Sequence, residues 1–190
     1  MKSLTCAEVF QSKDRVLRLI GEVFLIFLLS LLVSISAQIK VILPFTPVPI
    51  TFQTFVVLMI SMILGRYRSA IVMITYILKG IIGIPVFCSG LGLTYILGPT
   101  GGYIVGFLVS SYIVGWLSEI GYSKSFYKTV VAMLIGNSII YLFGVLWLSG
   151  FIGGIKEAII LGVVPFVFGD IAKILFASFL LLQGWKFIKK

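Results

Sequence analysis

The chain contains no histidine, and acidic residues are scarce: six Asp and Glu against fifteen Lys and Arg in 190 residues. Without His, the commonest metal ligand and the side chain that most readily moves protons near neutral pH are both missing. No metal site, cofactor or catalytic residue is therefore expected, and the chain does not read as an enzyme. Cysteine is almost absent too. Cys6 lies in a polar tail and Cys88 follows the third apolar tract, on opposite sides of the topology set out below, so no disulfide is expected. The first sixteen residues, "MKSLTCAEVFQSKDRV", are mostly polar and have no apolar core behind Met1, which argues against a cleavable signal peptide and against lipidation at Cys6. Charge of either sign is thin, at 11% of residues, where soluble domains carry about 25%.

What fills the sequence is apolar residue, 60% of the total, with a mean hydropathy of +1.20. The tracts are apolar around the full helical circumference, as membrane spans are. They do not alternate at period two, so helices are expected in place of a barrel. The fold class is all-α and polytopic, a single membrane domain over 1–190 with a tail at 1–16. Six spans are expected at about 17–37, 50–65, 69–87, 99–118, 129–149 and 157–187. The last is too long for one straight helix across roughly 30 Å of hydrocarbon, and Gly162 and Pro165 predict a kink or break within it.

Lys and Arg in short loops set the orientation. Lys2, Lys13, Arg15 and Arg18 flank the first span. Arg66 and Arg68 follow the second, Lys124 and Lys128 the fourth, and Lys186, Lys189 and Lys190 the last, while the opposite loops hold only Lys40 and Lys156. Both termini are therefore expected in the cytoplasm. The net charge of +9 is mostly this topology signal. With no soluble domain to present it, a nucleic-acid partner is not expected.

Against this background, Asp170 and Lys173 in "PFVFGDIAK" are the prime candidates for a ligand site. Each intramembrane charge costs about 2.5–3.5 kcal/mol on insertion scales, and at i and i+3 the two share a helix face. They can pair with each other or meet a common ligand. Lys79 is a third buried charge, placed either in the same cavity or snorkelling towards the outer interface. "GPTGGYIVGF" joins a Pro-led helix start to Gly101, Gly102 and Tyr103. The glycines leave backbone N–H groups at a helix N-terminus or serve close packing, and Tyr103 offers a ring and a hydroxyl. In "PFTPVPITFQTF", three prolines stiffen a loop that leads to Gln53. Asn137 and Tyr141 share a face of the fifth span, where hydrogen bonding between helices is the plainer role. Ser30 and Ser34 form a small-xxx-small pair in span one, a surface for another helix of this chain or of a partner.

Taken together, "FTPVPITFQT", "GIIGIPVF", "LGPTGGYIVGF" and "PFVFGDIAK" follow the order and spacing of the BioY family over about residues 36–176. The resemblance implies a biotin-binding S component of an energy-coupling factor transporter in a bacterial plasma (inner) membrane. Such a component captures biotin from outside and works with a transmembrane coupling subunit and two cytoplasmic ATPases. It implies that Asp170, Lys173, Tyr103 and Gln53 contact the ligand and that Ser30 and Ser34 stand at the coupling-subunit contact. The loop "CSGLGLTY" lacks the Asn often found there in the family, and Lys79 stands where an apolar residue is usual. The chemistry is compatible: a carboxylate can accept ureido N–H bonds, and Lys173 or Lys79 can meet a ligand carboxylate. A stand-alone secondary carrier for a small vitamin-like solute, with Asp170 as a proton relay, is the alternative.

Overall fold

The computed structural model describes residues 15–90 and 92–188, the side chains of 186–188 excepted. The expectations placed on Lys2, Cys6, Lys13, Lys189 and Lys190 lie outside the described residues, as does the side chain of Lys186. In hydrocarbon there is no water to bond a bare peptide group, so each segment must close its own hydrogen bonds. The chain does so with helices: α1 (Arg15–Gln38), α2 (Gln53–Leu64), α3 (Arg66–Ile81), α4 (Gly92–Ile96), α5 (Gly101–Glu119), α6 (Phe126–Leu148), α7 (Ile155–Gly162) and α8 (Val167–Ile188). Among the described residues, α1, α5, α6 and α8 are long and apolar enough to cross a membrane, which makes this a multi-pass membrane protein. At 12 and 16 residues, α2 and α3 are shorter than the roughly 20 that a full crossing takes.

The structure adds a little strand to the all-α expectation. Lys40–Val41 (β1) and Ile50–Thr51 (β2) pair antiparallel, Lys40 opposite Thr51 and Val41 opposite Ile50. Pro44, Pro47 and Pro49 cannot donate to a helix, so the segment closes its backbone as a hairpin instead. The Phe52 amide then donates to the Ile39 carbonyl at 3.0 Å, which ties the start of α2 to the end of α1. The third tract also differs from expectation: α3 starts at Arg66 and stops at Ile81, because Gly83 takes a φ of +93° and Pro85 follows.

At the centre, α5 packs on α6, α3 and α2. Its small residues set the spacing, as expected where lipid supplies no hydrophobic drive between helices. A Cβ on Gly106 would lie 2.9 Å from the Ile140 Cα, and one on Gly115 would lie 2.5 Å from the Arg66 nitrogen. Ser110, Ser111 and Ser118 are all buried, and the Ser118 hydroxyl donates to the Met62 carbonyl at 2.5 Å. The last turn of α5 brings Glu119 to the start of α3, where its carboxylate accepts the Arg66 amide at 2.9 Å and meets the guanidinium at 3.2 Å. A carboxylate at a helix N-terminus is favoured by the helix dipole.

The α1 helix turns its small residues into the bundle. Ser30 and Ser34 are 0% and 7% exposed. Their hydroxyls are turned back onto their own helix, to the carbonyls of Phe27 and Ser30, each at 2.8 Å. With Val33 and Ala37 they form the buried face, and α1 packs on α3 and α2. The small pair therefore serves a seam within the chain. The opposite face, including Phe24, Phe27 and Leu31, is exposed.

Close approach at α5 gives a direct test. A side chain on Gly102 would strike the Phe143 carbonyl and the Trp147 side chain, while Gly21 has open space around it. Gly102→Leu is expected to destabilise the fold by about 1–3 kcal/mol, seen as a lower thermal midpoint in detergent, and Gly21→Leu to leave the midpoint unchanged. An unchanged midpoint in both would contradict the packing described here.

Candidate ligand site

The Gly162–Pro165 region separates two helices. α7 ends at Gly162 and α8 begins at Val167. A break at this depth frees carbonyls that lipid cannot satisfy, and two hydroxyls meet them. Thr46 of the Pro-rich hairpin donates to the Leu161 carbonyl at 2.8 Å. Tyr103 of α5 donates to the Gly162 carbonyl at 2.8 Å. The Tyr103 ring fits only because Gly144 of α6 has no side chain: a Cβ there would lie 2.5 Å from the Tyr103 Cζ.

Restarting the chain at Val167 puts Asp170 in the first turn of α8, where the helix dipole favours a carboxylate. Asp170 is 3% exposed. Its Oδ1 accepts from Lys173 Nζ at 2.9 Å and from the Thr54 hydroxyl at 3.1 Å. Its Oδ2 accepts from the Tyr141 hydroxyl at 2.6 Å. A carboxylate offers about four acceptor positions; three are used, and the open one is on Oδ2. Lys173 donates in addition to the Thr51 carbonyl at 2.7 Å and to Thr54 Oγ1 at 3.3 Å. An ammonium has three N–H groups, and these three acceptors engage all of them.

A cavity opens onto this pair. Its polar end is formed by Thr51, Gln53, Thr54, Tyr141, Asp170 and Lys173. The remaining wall includes Tyr76, Tyr95, Tyr103, Phe107 and Phe166. Gln53 is 5% exposed; among the described residues its Nε2 makes no hydrogen bond of good geometry, and the Tyr76 hydroxyl is the polar group it meets. A buried amide N–H without a partner is costly, and with Tyr76 able to take at most one of its two N–H groups, the other is poised to donate to a bound acceptor. The arrangement can hold a neutral polar group that presents an N–H to Asp170 and a carbonyl to Gln53, with aromatic cover for an apolar ring.

Of the residues singled out in the sequence, the fold brings Asp170, Lys173, Tyr103 and Gln53 to one cavity. Lys79 is elsewhere. It does not line the cavity, and its ammonium, unpaired among the described residues, lies 5.4 Å from the centroid of the Phe27 ring on α1. A cation over a ring face is an attractive contact, and Lys79 belongs to the seam between α1 and α3. Gly101 and Gly102 also fall outside the lining. They are sites of close approach, Gly101 to the Ile96 carbonyl and Gly102 to α6, and packing explains them. Sequence reasoning missed Thr54 and Gly144, and gave Tyr141 only a packing role and Gly162 only a kink. For Tyr141 the signal was available: a hydroxyl four residues from Asn137 on one face of an apolar helix.

The helical frame is that of a multi-pass membrane protein, and the cavity lies within it. The fold matches the crystal structure of the S-component for biotin from an ECF-type ABC transporter, with a TM-score of 0.80 at 22% identity over 92% of this chain and 95% of that one. The sequence model of the BioY family matches residues 8–190, and the chain belongs to the BioY family. It is 42% identical over 154 residues to the probable biotin transporter BioY of Pyrococcus horikoshii, covering 80% of this chain and 88% of that protein. It is 36% identical over 153 residues to the biotin transporter BioY of Thermotoga maritima, covering 80% and 88% respectively.

The buried pair makes its own prediction. Lys173→Met leaves Asp170 without its cation and is expected to destabilise the protein by about 3–5 kcal/mol, with most of that recovered in the Asp170→Leu/Lys173→Met double variant. Unfolding in detergent checks it. Equal losses in the single and double variants would mean that the charges are not energetically coupled.

Proposed function

We propose that this chain binds biotin and takes part in its uptake as the substrate-binding S component of an energy-coupling factor transporter. The observation that carries the proposal is the polar end of the cavity, where one open acceptor on Asp170 Oδ2 and a spare N–H of Gln53 line the same space. Biotin's ureido group supplies the complement, N–H donors and a carbonyl, and its thioether ring suits the aromatic wall. That the relatives at 42% and 36% identity are named as biotin transporters supports the same reading.

In this reading α1, α2, α3, α5, α6 and the α7–α8 unit make six crossings of the plasma membrane. Both termini face the cytoplasm, and the cavity opens to the outside. The sequence contains no nucleotide-binding motif, so uptake against a gradient draws on other chains: a transmembrane coupling subunit and two cytoplasmic ATPases. The stand-alone carrier is disfavoured by the state of Asp170. It is held by an ammonium and two hydroxyls that all donate to it, and the acceptor left over suits a ligand's N–H.

Calorimetry on purified protein tests the binding step. Biotin is expected to bind, and thiamine and riboflavin are not. Asp170→Asn is expected to weaken biotin by about 1.5–3 kcal/mol, and Gln53→Leu by about 0.5–1.5 kcal/mol. Folded protein that fails to bind biotin would overturn the proposal. For the coupling step, uptake in cells is expected to require co-expression of the coupling module, and full uptake by this chain alone would favour the secondary carrier.

A further inference from the structure

The cavity is unevenly equipped for a ligand that carries a charge. Its polar end is crowded with fixed partners, and the free space within it is small, about 60 Å³. A second, more open space of about 330 Å³ shares Pro49, Tyr95 and Thr100 with it as a common wall, and Ser89, Thr94 and Gly98 help to line this vestibule. Among the described residues, no charged side chain lines that vestibule. The cavity itself has only Asp170 and Lys173, and Lys173 has all three N–H groups engaged. Lys79, against Phe27, lines neither space. Lys40 lines neither as well, and its ammonium donates to the Cys88 carbonyl.

These facts orient a ligand such as biotin. A carboxylate pushed to the deep end would meet an ammonium with no N–H to spare and would lie beside the Asp170 carboxylate, a like charge in a low-dielectric place. A neutral ureido head avoids both penalties. The narrow deep space takes the head, and the carboxylate tail is left to project into the vestibule. There it meets hydroxyls, backbone groups and water, none of which requires a negative charge. Donors of that kind serve an amide carbonyl as well as a carboxylate; the ionised acceptor gains the stronger bond, but it also gives up more hydration on leaving water.

We propose that the vestibule is an acyl subsite that does not read the tail's charge, so that the protein also accepts biotin extended through its carboxylate as an amide, including biotin joined to the side-chain amine of a lysine. This rests on the biotin-binding reading above. It goes beyond it by naming a wider substrate class, amide conjugates of biotin such as those released when a biotin-bearing protein is degraded.

The test is calorimetry on the purified chain with biotin, its primary amide and its lysine amide. Both amides are expected to bind within about tenfold of biotin, and a larger loss for the primary amide, of the size of a charge-assisted hydrogen bond, would overturn the proposal. In that event Lys40→Met should reduce biotin to the level of the amide, which would identify the cation that reads the tail. A second variant addresses the space itself. Thr94→Trp fills the vestibule and is expected to lower the affinity of the lysine amide relative to biotin by about tenfold or more. An unchanged ratio would show that the extension does not lie there. If biotin and both amides all fail to bind folded protein, the parent reading falls and this one with it; binding of biotin alone removes only this one.

Discussion

The Asp170 carboxylate is a buried negative charge in a segment that lipid surrounds, and much of the site is the apparatus that keeps it there. It takes an ammonium from the next turn of its own helix, a hydroxyl from α2 and a hydroxyl from α6. The ammonium in turn needs the Thr51 carbonyl, which is in position because three prolines force the preceding segment into a hairpin. Breaking a pair of this kind by removing one member leaves an uncompensated buried charge, which is why such pairs are all-or-nothing features. Four separate elements thus converge on two side chains three residues apart.

The break between α7 and α8 belongs to the same arrangement. An unbroken helix would place Asp170 in mid-span, without the favourable field of a helix N-terminus. Breaking it frees carbonyls, and the chain closes them with Thr46 and Tyr103. Tyr103 therefore has two functions: its hydroxyl caps α7, and its ring lines the cavity. Gly144 is silent in the sequence, yet it supplies the space that makes both possible.

The parts legible in the sequence were those written in local chemistry. A lone deep Asp with Lys at i+3 stands out in an apolar chain, and the tracts announce helices by composition. Gln53 and Tyr103 were found because each follows a Pro- or Gly-marked turn. What could not be read was distance between segments. Whether Lys79 faces the cavity or α1 depends on the rotation of α3, and whether Ser30 and Ser34 face a partner or the bundle depends on how α1 lies. The glycines of α5 could equally have been a ligand cradle or a packing seam until α6 was seen against them. The two-residue strands and the five-residue α4 were invisible for another reason: elements that short have little intrinsic stability and exist because their surroundings hold them.

The account turns on the direction of the ligand, neutral head towards Asp170 and Gln53 and acidic tail outward. A structure of the purified protein with biotin bound measures this directly. The account predicts the ureido nitrogen within hydrogen-bond distance of Asp170 Oδ2, the ureido oxygen near Gln53 Nε2, and the carboxylate among Ser89, Thr94 and Thr100. A carboxylate bonded to Lys173, with the ureido ring in the vestibule, would contradict it.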